Sequence, residues 1–278
     1  MAASKNVIIT AATSSYFRSF LQLLYSFNRT GEYHNSHIIF YDLGLADSQV
    51  TYFKETLLKK HSGIIYRKFN FENFPVFVKP QHKTYAWKPT IIHEVLEEMK
   101  GNVLWLDSAN LILKPLTQVW KEISRNGAYL PISGSGSLEE WTCDSVLKAL
   151  NVSAEDKLKR NRCGGLCGFS FENGAARQLV NDWAKHALIK SHIKPNGANR
   201  SNHRDDQSLL TILAYKAERE KMLHLGSDEV NISSSKPINT ISVRNILPES
   251  FPSELLLCSA LYFKIRRRID ILINRLLK

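Results

Sequence analysis

Gly101-Asn102-Val103-Leu104-Trp105-Leu106-Asp107-Ser108-Ala109-Asn110-Leu111-Ile112-Leu113 decides how the rest of this chain is read. Val103 to Leu106 is apolar, partly β-branched or aromatic, and too short for a helix, so it predicts a buried strand. The strand runs straight into one carboxylate, Asp107; a small pair follows, and apolar residues resume. Open α/β sheets bind ligands beyond the carboxyl ends of their strands, which is where Asp107 falls. Asp107 to Asn110 equally suits a polar turn between two strands. The flanking sequence bears on which reading holds.

Upstream, Asn6 to Ala12 predicts a buried first strand, and Thr13-Ser14-Ser15 offers N-caps for a helix from about Tyr16 to Phe27. A strand, a small-residue turn and a helix N-terminus together let a nucleotide approach backbone N–H groups. No Gly-rich dinucleotide fingerprint or P-loop is present. His37 to Gly44 is a second strand ending on Asp42. Asp42 is either an acceptor for a base or ribose at the sheet edge or a turn residue before Leu43-Gly44. A helix around Ser48 to Lys60 and a strand over Gly63 to Phe69 continue the alternation that builds a parallel sheet. After an aromatic, Pro-punctuated loop, Tyr85-Ala86-Trp87-Lys88-Pro89 opens a helix running to about Met99. Lys88 stands where the helix dipole disfavours a cation, so it either meets an anion or is a solvated surface lysine.

Downstream, Leu116 to Ser124 predicts a helix, Ala128 to Ile132 a strand, Ser133 to Ser137 a flexible loop, and 138–160 a polar helical region. Gly164 to Phe171 is a Gly-rich strand, and glycine in a strand often marks close approach by a ligand or another backbone. A helix from Gly174 to Ile189 leads into a basic Gly/Asn-rich loop, Lys190 to His203, of a length that is usually functional or mobile. The loop ends at Arg204-Asp205-Asp206-Gln207-Ser208, which caps a helix over Leu209 to Glu218. That acid pair either complements the dipole or forms an acid/base station. Lys221 to Leu225 predicts the last core strand, with His224 a structural residue or a metal ligand. Ser233 to Ser235, Lys236 and Arg244 are candidate phosphate contacts.

With 44% hydrophobic and 23% charged residues in 278, the composition is that of a globular protein. The formal charge of +11 suits an anionic partner, whether nucleotide diphosphate, lipid headgroups or nucleic acid. Cys143, Cys163, Cys167 and Cys258 form no disulfide framework in a chain of this size and lack zinc spacing, so reduced, packed thiols are expected. On a helical wheel, Cys258, Leu261, Tyr262, Ile265, Ile269, Leu272, Ile273 and Leu276 share one stripe bordered by Lys264, Arg266, Arg268 and Arg275. This basic amphipathic pattern over 255–278 is that of a membrane-surface anchor or of a helix docking on protein. The tail holds six basic residues against Asp270, and so +5 of the +11, which argues against a nucleic-acid partner. One domain over 1–250 and a basic amphipathic helix over 251–278 are expected. No stretch is long and apolar enough to span a bilayer and no secretory segment opens the chain, which predicts a cytoplasmic protein, peripheral on the inner face of a membrane where the tail anchors it.

From about Asn6 to Leu225, the order and spacing of these stations resemble a GT-A-type glycosyltransferase, a single-domain fold that uses nucleotide-sugar donors. The branch is similar to the one containing glycogenin and bacterial galactosyltransferases, and to a group carrying Tyr-Asp-Leu-Gly-Leu and Tyr-Ala-Trp-Lys-Pro, here Tyr41 to Leu45 and Tyr85 to Pro89. The resemblance implies an α/β fold with a Rossmann-like mixed sheet flanked by helices. It implies that Thr10, Ala11 and Ala12 line a uridine or other base pocket with Tyr16 nearby, that Asp42 meets base or ribose, and that Lys88 contacts donor sugar or phosphate. Asp107-Ser108-Ala109 would stand at the Asp-x-Asp motif that holds a divalent cation, Mn²⁺ or Mg²⁺, against the diphosphate. Gly164 and Gly165 would lie beneath the donor sugar, and Asp206-Gln207, with Asp205, near the anomeric carbon and the acceptor. The implied partners are a UDP-sugar and a glycan or glycoconjugate acceptor.

The pattern departs at position 109, where Ala stands in place of the second acid. One carboxylate with diphosphate and water is a thin shell for a hard cation. Either His224 completes it or a basic residue, Lys88, Lys236 or Arg244, neutralises the leaving diphosphate instead. Two other classes remain open: a nucleotide-sugar or glycan-binding protein without turnover, and a nucleotidyltransferase, which expects a Gly-rich basic loop that Ala11 to Ser15 lacks.

Overall fold

The structure is a computed structural model that describes residues 6–230, 241–244 and 246–247. Its strands are β1 (Asn6–Ala12), β2 (His37–Asp42), β3 (Ile64–Lys68), β4 (Asn102–Leu106), β5 (Asn110–Ile112), β6 (Ala128–Tyr129), β7 (Ile132–Ser137), β8 (Arg160–Arg162), β9 (Leu166–Ser170), β10 (Glu229–Val230) and β11 (Ser242–Arg244). Six form one sheet in the order β3-β2-β1-β4-β9-β6. β1 pairs in parallel with β2 and β4, and β2 with β3, as the strand–helix alternation requires. β9 runs antiparallel to both β4 and β6, which makes the sheet mixed.

Alternate residues of the strands bury against opposite layers of helix. Val7, Ile9, Val103, Trp105 and Phe169 pack with the helices Trp87–Met99, Gly174–Ala187 and Asp206–Arg219. Ile8, Ile38, Phe40, Leu104 and Leu106 pack with Phe17–Thr30 and Thr117–Asn126, and with Phe53 and Leu57 of the π-helical turn Phe53–Leu57. The antiparallel course of β9 has one consequence for function. Leu106 pairs with Leu166, so the chain entering β9 lies beside the chain leaving β4. Gly164 and Gly165 are thereby brought to the same sheet edge as Asp107.

Three expectations are corrected. Ser133 to Ser137 is not a loop but most of β7, which pairs with β8 across a bulge and with β10. Its Ser/Gly composition is unfavourable for a strand, and its pairing partners override that weak preference. The region 138–160 holds two short helices, Asp144–Ala149 and Ala154–Leu158, joined by turns rather than one helical run. Lys221 to Leu225 forms no strand. The N–H groups of Met222 and Leu223 return to Ala217 O at the end of the preceding helix, and Leu223 and Leu225 bury by wrapping it. The C-terminal helix expected over 251–278 with its membrane contact, and Cys258, Ser233 to Ser235 and Lys236, lie outside the described residues, as does the side chain of Arg244. Among the described residues no helix is long and apolar enough to cross a membrane, and Cys143, Cys163 and Cys167 are free thiols.

Gly127 closes the Thr117–Asn126 helix at φ +81°, and a Cβ there would lie 2.3 Å from Asn173 Nδ2 and 2.8 Å from Asn173 Cβ. Asn173 is the N-cap of the next long helix, its Oδ1 accepting from Ala176 N at 2.9 Å. Gly127→Ala is therefore expected to cost about 2 kcal/mol, from the left-handed backbone and the displaced cap together, read as a lower urea midpoint at unchanged slope.

Candidate functional site

Three distant segments meet at one ammonium group. Lys88, in the first turn of the Trp87–Met99 helix, is only 4% exposed, and its Nζ lies 3.2 Å from Asp107 Oδ1 and 2.9 Å from Asp206 Oδ2. The same Nζ donates to Gly164 O at 3.1 Å. Burial works against its charge, but Asp107 and Asp206 outweigh that and hold its pKa above the ordinary lysine value. The cation set against its own helix dipole thus has two anions beside it, and it is not a surface lysine. Trp105 fixes the geometry from below. Its indole N–H donates to Asp107 Oδ1 at 2.8 Å, and its ring lies 5.5 Å from Lys88 Nζ.

The glycines supply backbone. Gly165 O accepts from Asp107 N at 3.0 Å and from Asn110 Nδ2 at 2.7 Å, so the turn after β4 is tied to the approach to β9. At Gly164 a Cβ would come within 3.2 Å of Gln207 Cβ and 3.5 Å of Asp206 Oδ2, so the small residue lets the Asp206–Arg219 helix close on the strand. That helix begins at Asp206, whose backbone carbonyl accepts from Trp183 Nε1 at 2.9 Å. Burial pushes the Asp206 carboxyl up to about 6, with Lys88 pulling the other way. Asp205, at the N-cap, has φ 45° and ψ −118°, a conformation suited to glycine, and its side chain reaches Lys194 Nζ at 3.3 Å rather than the helix N–H groups. Burial raises its carboxyl to about 7 against that lysine.

These groups line a cleft of about 470 Å³ together with Tyr85, Asn110, Ser133 to Ser135, Cys163, Arg200, His203, Arg204 and Gln207. The loop from Lys190 is pinned rather than loose at its end. His203 Nδ1 accepts from Cys143 N at 3.4 Å, its Nε2 lies 3.0 Å from Ile193 O, and burial lowers its pKa to about 4. A larger hollow of about 840 Å³ at the opposite edge, by Asn6 and Asn102, holds no such convergence of buried acids on a cation.

The other predicted residues are not among those lining this cleft. Thr10, Ala11 and Ala12 are buried in β1, and Thr10 Oγ1 has no hydrogen-bond partner among the described residues. Tyr16 is half-buried at the end of the Ser14–Tyr16 turn. Asp42 pairs in register with Ala12, but its oxygens serve its own surroundings: Oδ1 accepts from Gly44 N and Leu45 N, each at 2.7 Å, and Oδ2 from Tyr66 OH at 2.6 Å. Ser108 and Ala109 are buried. His224 is exposed and lines a separate hollow with Glu122 and Asp228, so it is not brought to Asp107. A divalent cation does not fit the residues present. Asp107 Oδ1 already faces Trp105 Nε1 and Lys88 Nζ, position 109 offers no side-chain oxygen, and no group of three His, Cys, Asp or Glu gathers among the described residues. Sequence reasoning did not single out Trp105 as a donor to Asp107, nor Trp141, Lys194, Arg200 and Arg204. Only the basic loop that carries Lys194 and Arg200 and ends at Arg204 gave a signal.

Residues 1–93 match the family described as a protein of unknown function (DUF1647). No curated protein is similar in sequence to this chain. Among solved structures, the chain is similar to the galactosyltransferase LgtC in complex with donor and acceptor sugar analogues, at 16% identity and a TM-score of 0.47 over 74% of this chain and 70% of that one. It is also similar to mouse xyloside xylosyltransferase 1, at 10% identity and a TM-score of 0.46 over 81% and 85%. A putative nucleotide-diphospho-sugar transferase from Desulfovibrio desulfuricans is similar at 10% and 0.46 over 85% and 83%. At such values the likeness concerns the course of the chain and leaves the chemistry to the residues of the cleft.

Lys88→Met would leave Asp107 and Asp206 facing each other with no cation between them, a loss of about 3–5 kcal/mol at neutral pH. The sign with pH follows from Asp206. Its folded pKa, already raised and rising further without Lys88, lies above an unfolded value of about 3.9, so its contribution is retained below that value and lost as pH climbs through the folded one. The gap in urea midpoint between wild type and Lys88→Met should therefore be wider at neutral pH than near pH 4.

Proposed function

We propose that this protein is a glycosyltransferase that moves a sugar from a nucleoside diphosphate, a uridine one by preference, to an acceptor hydroxyl. The observation that carries the reading is the Lys88 bridge between Asp107 and Asp206 at the carboxyl edge of the sheet, open to the cleft. In this reading the nucleotide lies over the ends of β1 and β2, beside Thr10, Ala11, Ala12, Tyr16 and Asp42. The diphosphate passes Asp107, Ser108 and Ala109, and the sugar rests on the Gly164-Gly165 backbone.

Transfer breaks the bond between the anomeric carbon and the phosphate oxygen, whose electron pair leaves with the diphosphate. It forms a bond to the acceptor oxygen, which gives up its proton. Asp205 is the group suited to take that proton, since a carboxyl held near 7 is half ionised at neutral pH and lines the cleft. Asp206, locked on Lys88, and Gln207, whose Nε2 donates to Ser135 Oγ at 3.4 Å, position the sugar and the acceptor. No step is assigned to a metal.

The second reading, binding of a nucleotide sugar or glycan without turnover, is favoured by Ala109 and by the engagement of Asp107 with Trp105 and Lys88. Hydrolysis of UDP-sugars and their binding by calorimetry separate the two. Turnover is expected to persist in EDTA. Asp107→Ala should weaken UDP binding, and Asp205→Asn should lower turnover by about 10²-fold or more while leaving UDP affinity within a few-fold. Binding of UDP with no turnover of any donor would leave the second reading, and Asp107→Ala without effect on either measurement would sink the first.

A further inference from the structure

The charges of the cleft are not all matched. Lys88 faces Asp107 and Asp206, and Lys194 faces Asp205. Arg200 and Arg204 line the same cleft, and among the described residues neither makes an ion pair. Arg204 is not loose. Its guanidinium lies 3.9 Å from the centre of the Trp141 ring, its backbone N–H donates to Ser208 Oγ at 3.2 Å, and Ser208 Oγ in turn donates to Trp141 O at 2.8 Å. Its Nε is buried with no hydrogen-bond partner among the described residues. Stacking leaves a planar guanidinium fork held in place with donors unused, an arrangement matched to a carboxylate, sulfate or phosphate group. Burial and the neighbouring charge of Arg200 act against the Arg204 cation and Asp205 acts for it, and an anion between the two arginines would add to that support.

The position of Arg204 bears on which substrate brings the anion. Along the sheet edge, β2 and β1 lie on one side of the Lys88 bridge, and the approach to β9 lies on the other. Arg204 stacks on Trp141 and lines the cleft with Ser133 to Ser135, and no residue of β1 or β2, over whose ends the nucleotide is placed, is among those lining it. We propose that Arg200 and Arg204 form an oxyanion-binding subsite for the acceptor, so that the acceptor is an acidic saccharide bearing a carboxylate, sulfate or phosphate. This rests on the glycosyltransferase reading above.

Calorimetry tests it with four probes on the full chain: UDP, a heparin tetrasaccharide, a trigalacturonate and neutral maltotriose. At least one acidic saccharide is expected to bind the wild type about tenfold or more tighter than maltotriose. Arg204→Gln should weaken that saccharide by about tenfold, the loss of a charged hydrogen-bonding pair, and leave UDP within about twofold. Arg204→Lys, which keeps the charge and loses the fork, should fall between them, and thermal melting of both variants confirms that they fold. Equal weakening of UDP and saccharide would place the donor's diphosphate at the arginines and overturn the proposal. It is likewise overturned if no acidic probe outbinds maltotriose while UDP binds normally. Failure of the wild type to bind UDP or any saccharide overturns the glycosyltransferase reading itself, and the subsite with it.

Discussion

One buried ammonium group holds together parts of the chain that are far apart in sequence. Lys88 Nζ touches Asp107, Asp206 and the carbonyl of Gly164. Removing such a cation from water is costly, and the cost is offset only when every hydrogen it carries has a partner. The surroundings meet that condition with little to spare. Trp105 props one carboxylate, Trp183 holds the backbone of the other, and Gly164 has no side chain to keep the two layers apart. The helices carrying Lys88 and Asp206 both pack on the Gly174–Ala187 helix, so the ion cluster and the apolar layer fix the same relative placement. Electrostatics and packing here specify one arrangement rather than compete.

Much of this frame was legible because it is local. Four apolar residues running into Asp107 announce a buried strand end, and a lysine in a helix's first turn raises the choice between a missing anion and a solvated surface residue. The identity of that anion was not local, since Lys88 and Asp206 meet only because two helices pack on a third. The misreadings have the same origin. Ser133 to Ser137 has the composition of a loop and becomes a strand because β8 and β10 lie beside it. Lys221 to Leu225 has the alternation of a strand, but its apolar residues find burial around a helix end, and among the described residues no strand pairs with them.

Asp42 and Asp107 show how far a local pattern goes. Each stands at the end of a strand paired in parallel with β1, and from sequence both admit the same two readings. In the folded chain Asp42 accepts from two backbone N–H groups of its own turn and from Tyr66, so its carboxylate is enclosed by structure that would form with or without a ligand. Asp107 is propped by an indole and faces a cation at the rim of a cleft, with 27% of its side chain exposed. The strand end provides the place; the neighbours decide whether the carboxylate is left facing outward.

The vertical order of charge in the cleft constrains what can enter it. Asp205 and Asp206 are buried at its floor, beside Lys194 and Lys88, while Arg200 is exposed at its mouth and Arg204 lies half-buried on its wall. An acid group placed deep in the cleft would meet the buried Asp205 and Asp206 carboxylates and be repelled. A uniformly neutral ligand would leave the arginine fork without a partner. The arrangement favours a molecule with two ends, hydroxyls that hydrogen-bond the deep carboxylates and an acid group that stays near the arginines. The overall excess of +11 is therefore a poor guide to the cleft, where Lys88, Lys194, Arg200 and Arg204 face three acids and come close to balance. Where the charges sit decides what the site selects, and their sum does not.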